Sequence, residues 1–131
     1  MASIFSKIIA GEIPAHKVAE NDEFLAFLDV FPVAVGHTLV IPKQEIDYIF
    51  DLDDEAYSRL MLFAKSVVPA IQKVVPCIKV GVSVIGLEVP HAHVHLLPLN
   101  NMADADFSKK LKMPQEELAA LAEKIRNAVQ G

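Results

Sequence analysis

The segment Pro90-His91-Ala92-His93-Val94-His95-Leu96-Leu97-Pro98-Leu99 places three of the chain's five histidines two residues apart. Successive side chains of an extended strand point to opposite faces, so this spacing predicts His91, His93 and His95 on one side. Ala92, Val94 and Leu96 then pack on the other. Three imidazoles in a row make a poor core and a good reactive surface. Three chemistries compete for them. Imidazoles two apart can chelate zinc, but a structural site needs four ligands. Only His37, His16 or a carboxylate is at hand to complete one. Alternatively, the rings merely satisfy polar neighbours or face solvent, a role that suits one histidine better than three at a fixed period. The third chemistry is nucleophilic attack on phosphorus. A neutral imidazole is nucleophilic and forms a phosphorus–nitrogen bond that water can later cleave. Flanking imidazoles then donate protons to phosphate oxygens. This last reading accounts for all three residues at once.

The elements that must position these histidines are legible as periodic segments. Ser3 to Ala10 has helical spacing, with Gly11 as its stop. His16 to Ala19 and Phe24 to Val30 read as a hairpin around the Asn21-Asp22 turn, and Phe31-Pro32 breaks the second strand. His37 to Ile41 is a β-branched strand closed by Pro42. Asp53 to Val75 is the principal helix, with Tyr57, Leu60, Met61, Ala64, Val67, Val68 and Ile71 on one stripe. Pro69 lies inside it and is expected to kink or divide it. Ile78 to Ile85 and His91 to Leu99 are strands joined by the tight Gly86–Pro90 connection. Asn100 to Lys112 is polar and carries no clear period. Pro114 to Val129 is a second helix, buried through Leu118, Leu121, Ala122, Ile125 and Val129. The pattern predicts one α+β domain over residues 1–131, with an antiparallel sheet of about five strands and helices on one face.

Composition narrows the functional classes. With 53% hydrophobic and 22% charged residues the chain is expected to fold without staples. A net charge of −5 gives no general attraction to nucleic acid or anionic lipid. The single Cys77 excludes an internal disulfide and fits a reducing compartment. No leader or long apolar run is evident, so no membrane partner and a cytoplasmic location are expected.

The triad segment resembles the histidine-triad (HIT) family, whose pattern alternates His with apolar residues and ends in two apolar positions, as in His91-Ala92-His93-Val94-His95-Leu96-Leu97. Ile4-Phe5-Ser6-Lys7-Ile8-Ile9-Ala10-Gly11-Glu12-Ile13-Pro14 is similar to the family's opening helix. Phe27-Leu28-Asp29-Val30-Phe31-Pro32 and Gly36-His37-Thr38-Leu39-Val40-Ile41-Pro42-Lys43 resemble its central strands. The likeness covers residues 3–99, leaving the tail and helix of residues 100–131 outside it. It implies a Hint-like homodimeric α+β nucleotide hydrolase or transferase that cleaves at the α-phosphorus, needs no cofactor, and acts on a purine nucleotide. By the same resemblance His93 is the nucleophile that forms a nucleotidyl-histidine. His91 orients it through its backbone carbonyl, and His95 contacts the phosphate. Asp29 matches the ribose-binding acid, His37 the histidine beside the triad, and Phe5, Ile8 and Val30 the apolar slot for the base.

One departure lies before the triad. Family members of this type carry an asparagine and a Gly-Gln-Ser-Val run there, whereas this chain has a shorter Val82-Ser83-Val84-Ile85-Gly86-Leu87-Glu88-Val89-Pro90. Glu88 replaces the phosphate-contacting serine. A carboxylate beside phosphate is unfavourable unless protonated or turned away, so Glu88 is expected either to act as a general acid or, the favoured reading, to offer its backbone N–H alongside that of Val89. The altered loop also fits a nucleotide-binding module without turnover.

Overall fold

The computed structural model describes residues 2–131. A five-stranded, fully antiparallel sheet runs in the order β1-β2-β3-β5-β4. Its strands are β1 (Lys17–Glu20), β2 (Phe24–Leu28), β3 (Thr38–Pro42), β4 (Lys79–Ser83) and β5 (Val94–Leu99). Three α-helices accompany it: α1 (Ile4–Ile9), α2 (Asp54–Val74) and α3 (Gln115–Gln130). The α+β architecture is the one the sequence predicts.

Period-two alternation divides the sheet into two apolar faces. Phe24, Ala26, Leu28, Val40, Ala92, Val94 and Leu96 turn towards α2 and α3, which supply Leu60, Ala64, Val67, Ile71, Leu118, Ala122 and Ile125. Each such side chain stabilises the fold by roughly 1.5–3 kcal/mol on leaving water. Leu25, Phe27, Leu39 and Ile41 point the other way and meet Phe5 and Ile8 of α1. The two long helices therefore share one face, and the short helix lies against the opposite one.

Several sequence expectations need correction. The histidine strand begins at Val94, not His91, because the β3–β5 ladder ends at the Val40–Val94 pair. Beyond it, Ala92 N–H donates to the Ile46 carbonyl (2.6 Å) and His91 N–H to that of Val89 (2.8 Å). Pro69 does not divide α2, which is helical from Asp54 to Val74, capped by the Asp53 side chain on Ala56 N–H. Burial of Val67, Ala70 and Ile71 on either side of Pro69 holds the helix through the missing hydrogen bond. β2 and β4 are shorter than expected, β3 is shifted by one residue to include Pro42, and Val129 is 40% exposed at the far end of α3.

Candidate active site

Alternation places the polar residues of three neighbouring strands in one row. On the face of Leu25 and Phe27, the next outward position past the end of β2 is Asp29. On the face of Leu39 and Ile41, the preceding one is His37, and Asp29 N–H donates to the His37 carbonyl (3.0 Å). His95 pairs with Leu39 across the β3–β5 ladder and shares this face. Gly36 enables the approach: its φ is +89°, and a Cβ there would lie 2.9 Å from Val75 Cγ2 and 3.1 Å from Pro98 Cγ. Any side chain at residue 36 would be strained at this φ and would press on Val75 and Pro98.

The four histidines of this face are nearly inaccessible: His91 is 0%, His37 1%, and His93 and His95 each 7% exposed. Their partners assign their protons. Val33 N–H donates to His37 Nδ1 (3.1 Å), so a neutral His37 carries its proton on Nε2. That Nε2–H faces His95 Nδ1 at 2.9 Å, which makes His95 Nδ1 the acceptor and puts the His95 proton on Nε2. Asp29 Oδ2 stands farther from His37 Nε2, at 3.6 Å, while its Oδ1 accepts from Phe31 N–H (2.8 Å). A second chain reaches the middle histidine. His91 Nε2–H donates to the Pro42 carbonyl (2.8 Å), and the His91 carbonyl accepts from His93 Nδ1–H (2.7 Å). A backbone carbonyl can only accept, so His93 holds its proton on Nδ1 and keeps a free lone pair on Nε2.

Burial keeps His37, His91 and His95 uncharged. It pushes His95 down to about 3, assisted by the charges of His37, His93 and Lys110. It likewise pushes His37 down to about 4, with Asp29 opposing. His91 is lowered by burial against the contrary pull of Pro42 and Glu45. A row of imidazoles, of which His93 presents an unshared pair and His95 an outward N–H, can attack an electrophile and donate to its oxygens.

The other expected residues divide by position. Phe5 stands edge-on to His93 (5.1 Å between centroids, 82°) and to His91 (5.8 Å, 70°). Ile8 is buried in the core beneath it, and Val30 is 40% exposed beside Asp29. Glu88 is exposed, and Val89 packs against the Phe5 cluster. His16 lies outside the site, its Nε2 2.7 Å from Gln115 Oε1. Sequence reasoning missed Phe107, in the stretch without a period. Its ring rests edge-on against His95 (4.8 Å, 76°) and His37 (5.9 Å, 86°). Leu111 N–H donates to the Pro32 carbonyl (2.7 Å), tying this segment to the loop after Asp29, and the Lys110 ammonium sits 5.6 Å from the Phe107 ring centroid. An aromatic residue isolated among polar ones was its only signal.

Asp29, His37 and His95 bring three ligand atoms within 4.8 Å of one another, the sole such group among the described residues. His37 is the member of this set that fits a metal least well. Coordination through His37 Nε2 would require the proton on Nδ1, where it would face Val33 N–H, donor against donor.

Residues 10–102 match the HIT domain family. The chain is 35% identical to a HIT-like protein of Borreliella burgdorferi, over 93% of this chain and 94% of the relative. It is 33% identical to the adenosine 5′-monophosphoramidase of Schizosaccharomyces pombe, over 98% of this chain and 99% of that one. Among solved structures, a Hit-like protein of Bartonella henselae superposes with a TM-score of 0.84 at 32% identity, over 96% of this chain and 95% of that one. No described helix is long and apolar enough to cross a membrane.

Proposed function

The chain belongs to the HIT domain family, and from that premise we propose that it hydrolyses nucleoside phosphates at the α-phosphorus through a nucleotidyl-His93 intermediate. The observation that carries this reading is the tautomer of His93, whose Nδ1–H is engaged by the His91 carbonyl and whose Nε2 lone pair is free. His93 Nε2 attacks phosphorus as the bond to the leaving group breaks, and the leaving group departs with that electron pair. The resulting positive charge on the ring is stabilised through Nδ1–H by the His91 carbonyl. His95 Nε2–H, held outward by His37, donates to a phosphate oxygen. Water then cleaves the phosphorus–nitrogen bond and restores the imidazole.

Relatives of about one-third identity that are named adenosine 5′-monophosphoramidases, in two yeasts, support an AMP-type substrate with an amine leaving group. Phe5 and Val30, with Ile8 behind, supply the apolar wall for a purine. The N–H groups of Glu88 and Val89 lie outside the internal hydrogen bonds of the described residues and suit phosphate oxygens, with the Glu88 carboxylate turned to solvent. Exposed Ile78, Val82, Ile85 and Leu87 on and beside the edge strand β4 favour a homodimer.

The free Oδ2 of Asp29 is the acceptor for ribose hydroxyls. Asp29→Asn keeps the turn to Phe31 but presents an amide donor there. It is expected to lower kcat/KM on a ribonucleotide about tenfold or more and to erode the preference over the 2′-deoxy analogue. Parallel kinetics on the two substrates check this, and an unchanged preference would place the ribose elsewhere. Activity is also expected to survive dialysis against EDTA within assay error. Loss restored by zinc would revive the metal-binding reading.

A further inference from the structure

The amino end of α1 touches the catalytic row through hydrogen bonds that the reaction above does not use. Ser3 caps the helix, its Oγ accepting from Ser6 N–H (3.0 Å). Glu45, in the loop after β3, accepts at Oε1 from Ser3 N–H and from the Ser6 hydroxyl (2.7 Å). The single Ser6 proton is thereby committed to the carboxylate. Two hydroxyls approach His91 Nδ1, Ser3 Oγ at 2.8 Å and Ser6 Oγ at 3.4 Å. Only Ser3 has a proton left to give, and its contact with His91 is shorter than its alternative on Ser6 Oγ (3.3 Å). Because His91 Nε2–H is spent on the Pro42 carbonyl, Nδ1 must accept, and Ser3 supplies the one donor that fits. The next loop residue, Ile46, accepts from Ala92 N–H (2.6 Å), so the loop that carries Glu45 also holds the triad segment directly.

We propose that Glu45 is a positioning residue for His93, acting through Ser3 and Ser6 to hold the His91 ring so that the His91 carbonyl keeps the His93 proton on Nδ1. The carboxylate takes the Ser6 hydroxyl proton and holds the Ser3 backbone N–H, which leaves the Ser3 hydroxyl to His91. The serine fixes the His91 ring, and the fully buried ring fixes its own carbonyl. An imidazole held by only one of its two nitrogens can pivot, and a shift of the His91 carbonyl would release Nδ1–H of the nucleophile. The kinetic part of this proposal rests on the reading of His93 as nucleophile; the tautomer part does not.

Glu45→Ala, Glu45→Gln and Ser3→Ala test it, with kcat, KM and Tm measured beside the ¹⁵N shifts of the His93 ring. Glu45→Ala and Ser3→Ala are expected to lower kcat about tenfold or more, with KM within about twofold. The His93 nitrogens should move from one tautomer towards a mixture. Glu45→Gln, whose amide oxygen still accepts both bonds, should recover most of the loss. Reduced Tm with unchanged kcat and an unchanged His93 tautomer would overturn the proposal and leave the cluster as a helix cap. Absence of turnover in the wild type would defeat the nucleotidyl-histidine reading alone, because the ring shifts still decide whether Glu45 sets the tautomer.

Discussion

His93→Ala is expected to lower turnover of an AMP phosphoramidate by at least about 10³-fold while leaving AMP affinity within about threefold. The asymmetry follows from what the ring touches. Its Nδ1–H is bound to the His91 carbonyl at 2.7 Å, and it packs edge-on to Phe5. Its remaining asset, the Nε2 lone pair, is of use only once phosphorus is attacked. Removing it therefore takes away transition-state stabilisation and little ground-state binding. Neither Asp29 nor the Glu88–Val89 amides depend on it. Steady-state kinetics and calorimetric AMP titration of the two proteins check both halves. Turnover within tenfold of wild type would move the nucleophile elsewhere. A matching collapse of affinity would make His93 a binding residue.

The second large effect concerns acid stability. His37 and His95 sit at about 4 and about 3 in the folded chain against an ordinary value of 6.5, because both are buried. The unfolded chain thus binds protons at a higher pH than the folded one. Stability from these groups is complete above pH 6.5, is lost progressively as pH falls below it, and is exhausted once pH passes the folded values. Each group contributes a slope of about 1.4 kcal/mol per pH unit inside that window. The two rings share a hydrogen bond and titrate as a pair, so the combined loss is several kcal/mol. Urea unfolding at stepped pH between 7.5 and 4.5 should show stability falling with more than one proton taken up. His95→Gln, which cannot protonate, should flatten the slope. A stability independent of pH across that range would mean that the rings are protonated or hydrated in the folded state.

Period-two spacing made one part of this architecture legible before any fold was known. It put His91, His93 and His95 against the Ala92, Val94 and Leu96 side, and that division holds although the ladder begins only at Val94. Asp29 and His37 entered through family resemblance, and the sheet brings them to the row by the same alternation. The proton assignments were not legible. They depend on Val33 N–H and on the Pro42 and His91 carbonyls, groups that every residue carries and that only the folded chain aims. Ser3, Ser6 and Glu45 escaped notice for a related reason, since the serines meet His91 and Glu45 meets the serines only because α1 packs on the Leu25, Phe27, Leu39 and Ile41 face. Phe107 came to His95 by a turn in the stretch after β5, where no period existed to read. Of the kink or division expected at Pro69, the division does not occur, because tertiary burial outweighs a local helix-breaking preference.

The most direct test of the central claim is intact-protein mass spectrometry after brief mixing with an AMP phosphoramidate and quenching at alkaline pH, wild type beside His93→Ala. An added AMP mass in the wild type, absent from the variant, is the predicted result and identifies the nucleotidyl-histidine. Steady AMP release with no adduct at any mixing time, or an adduct of equal yield in His93→Ala, would contradict covalent catalysis at His93.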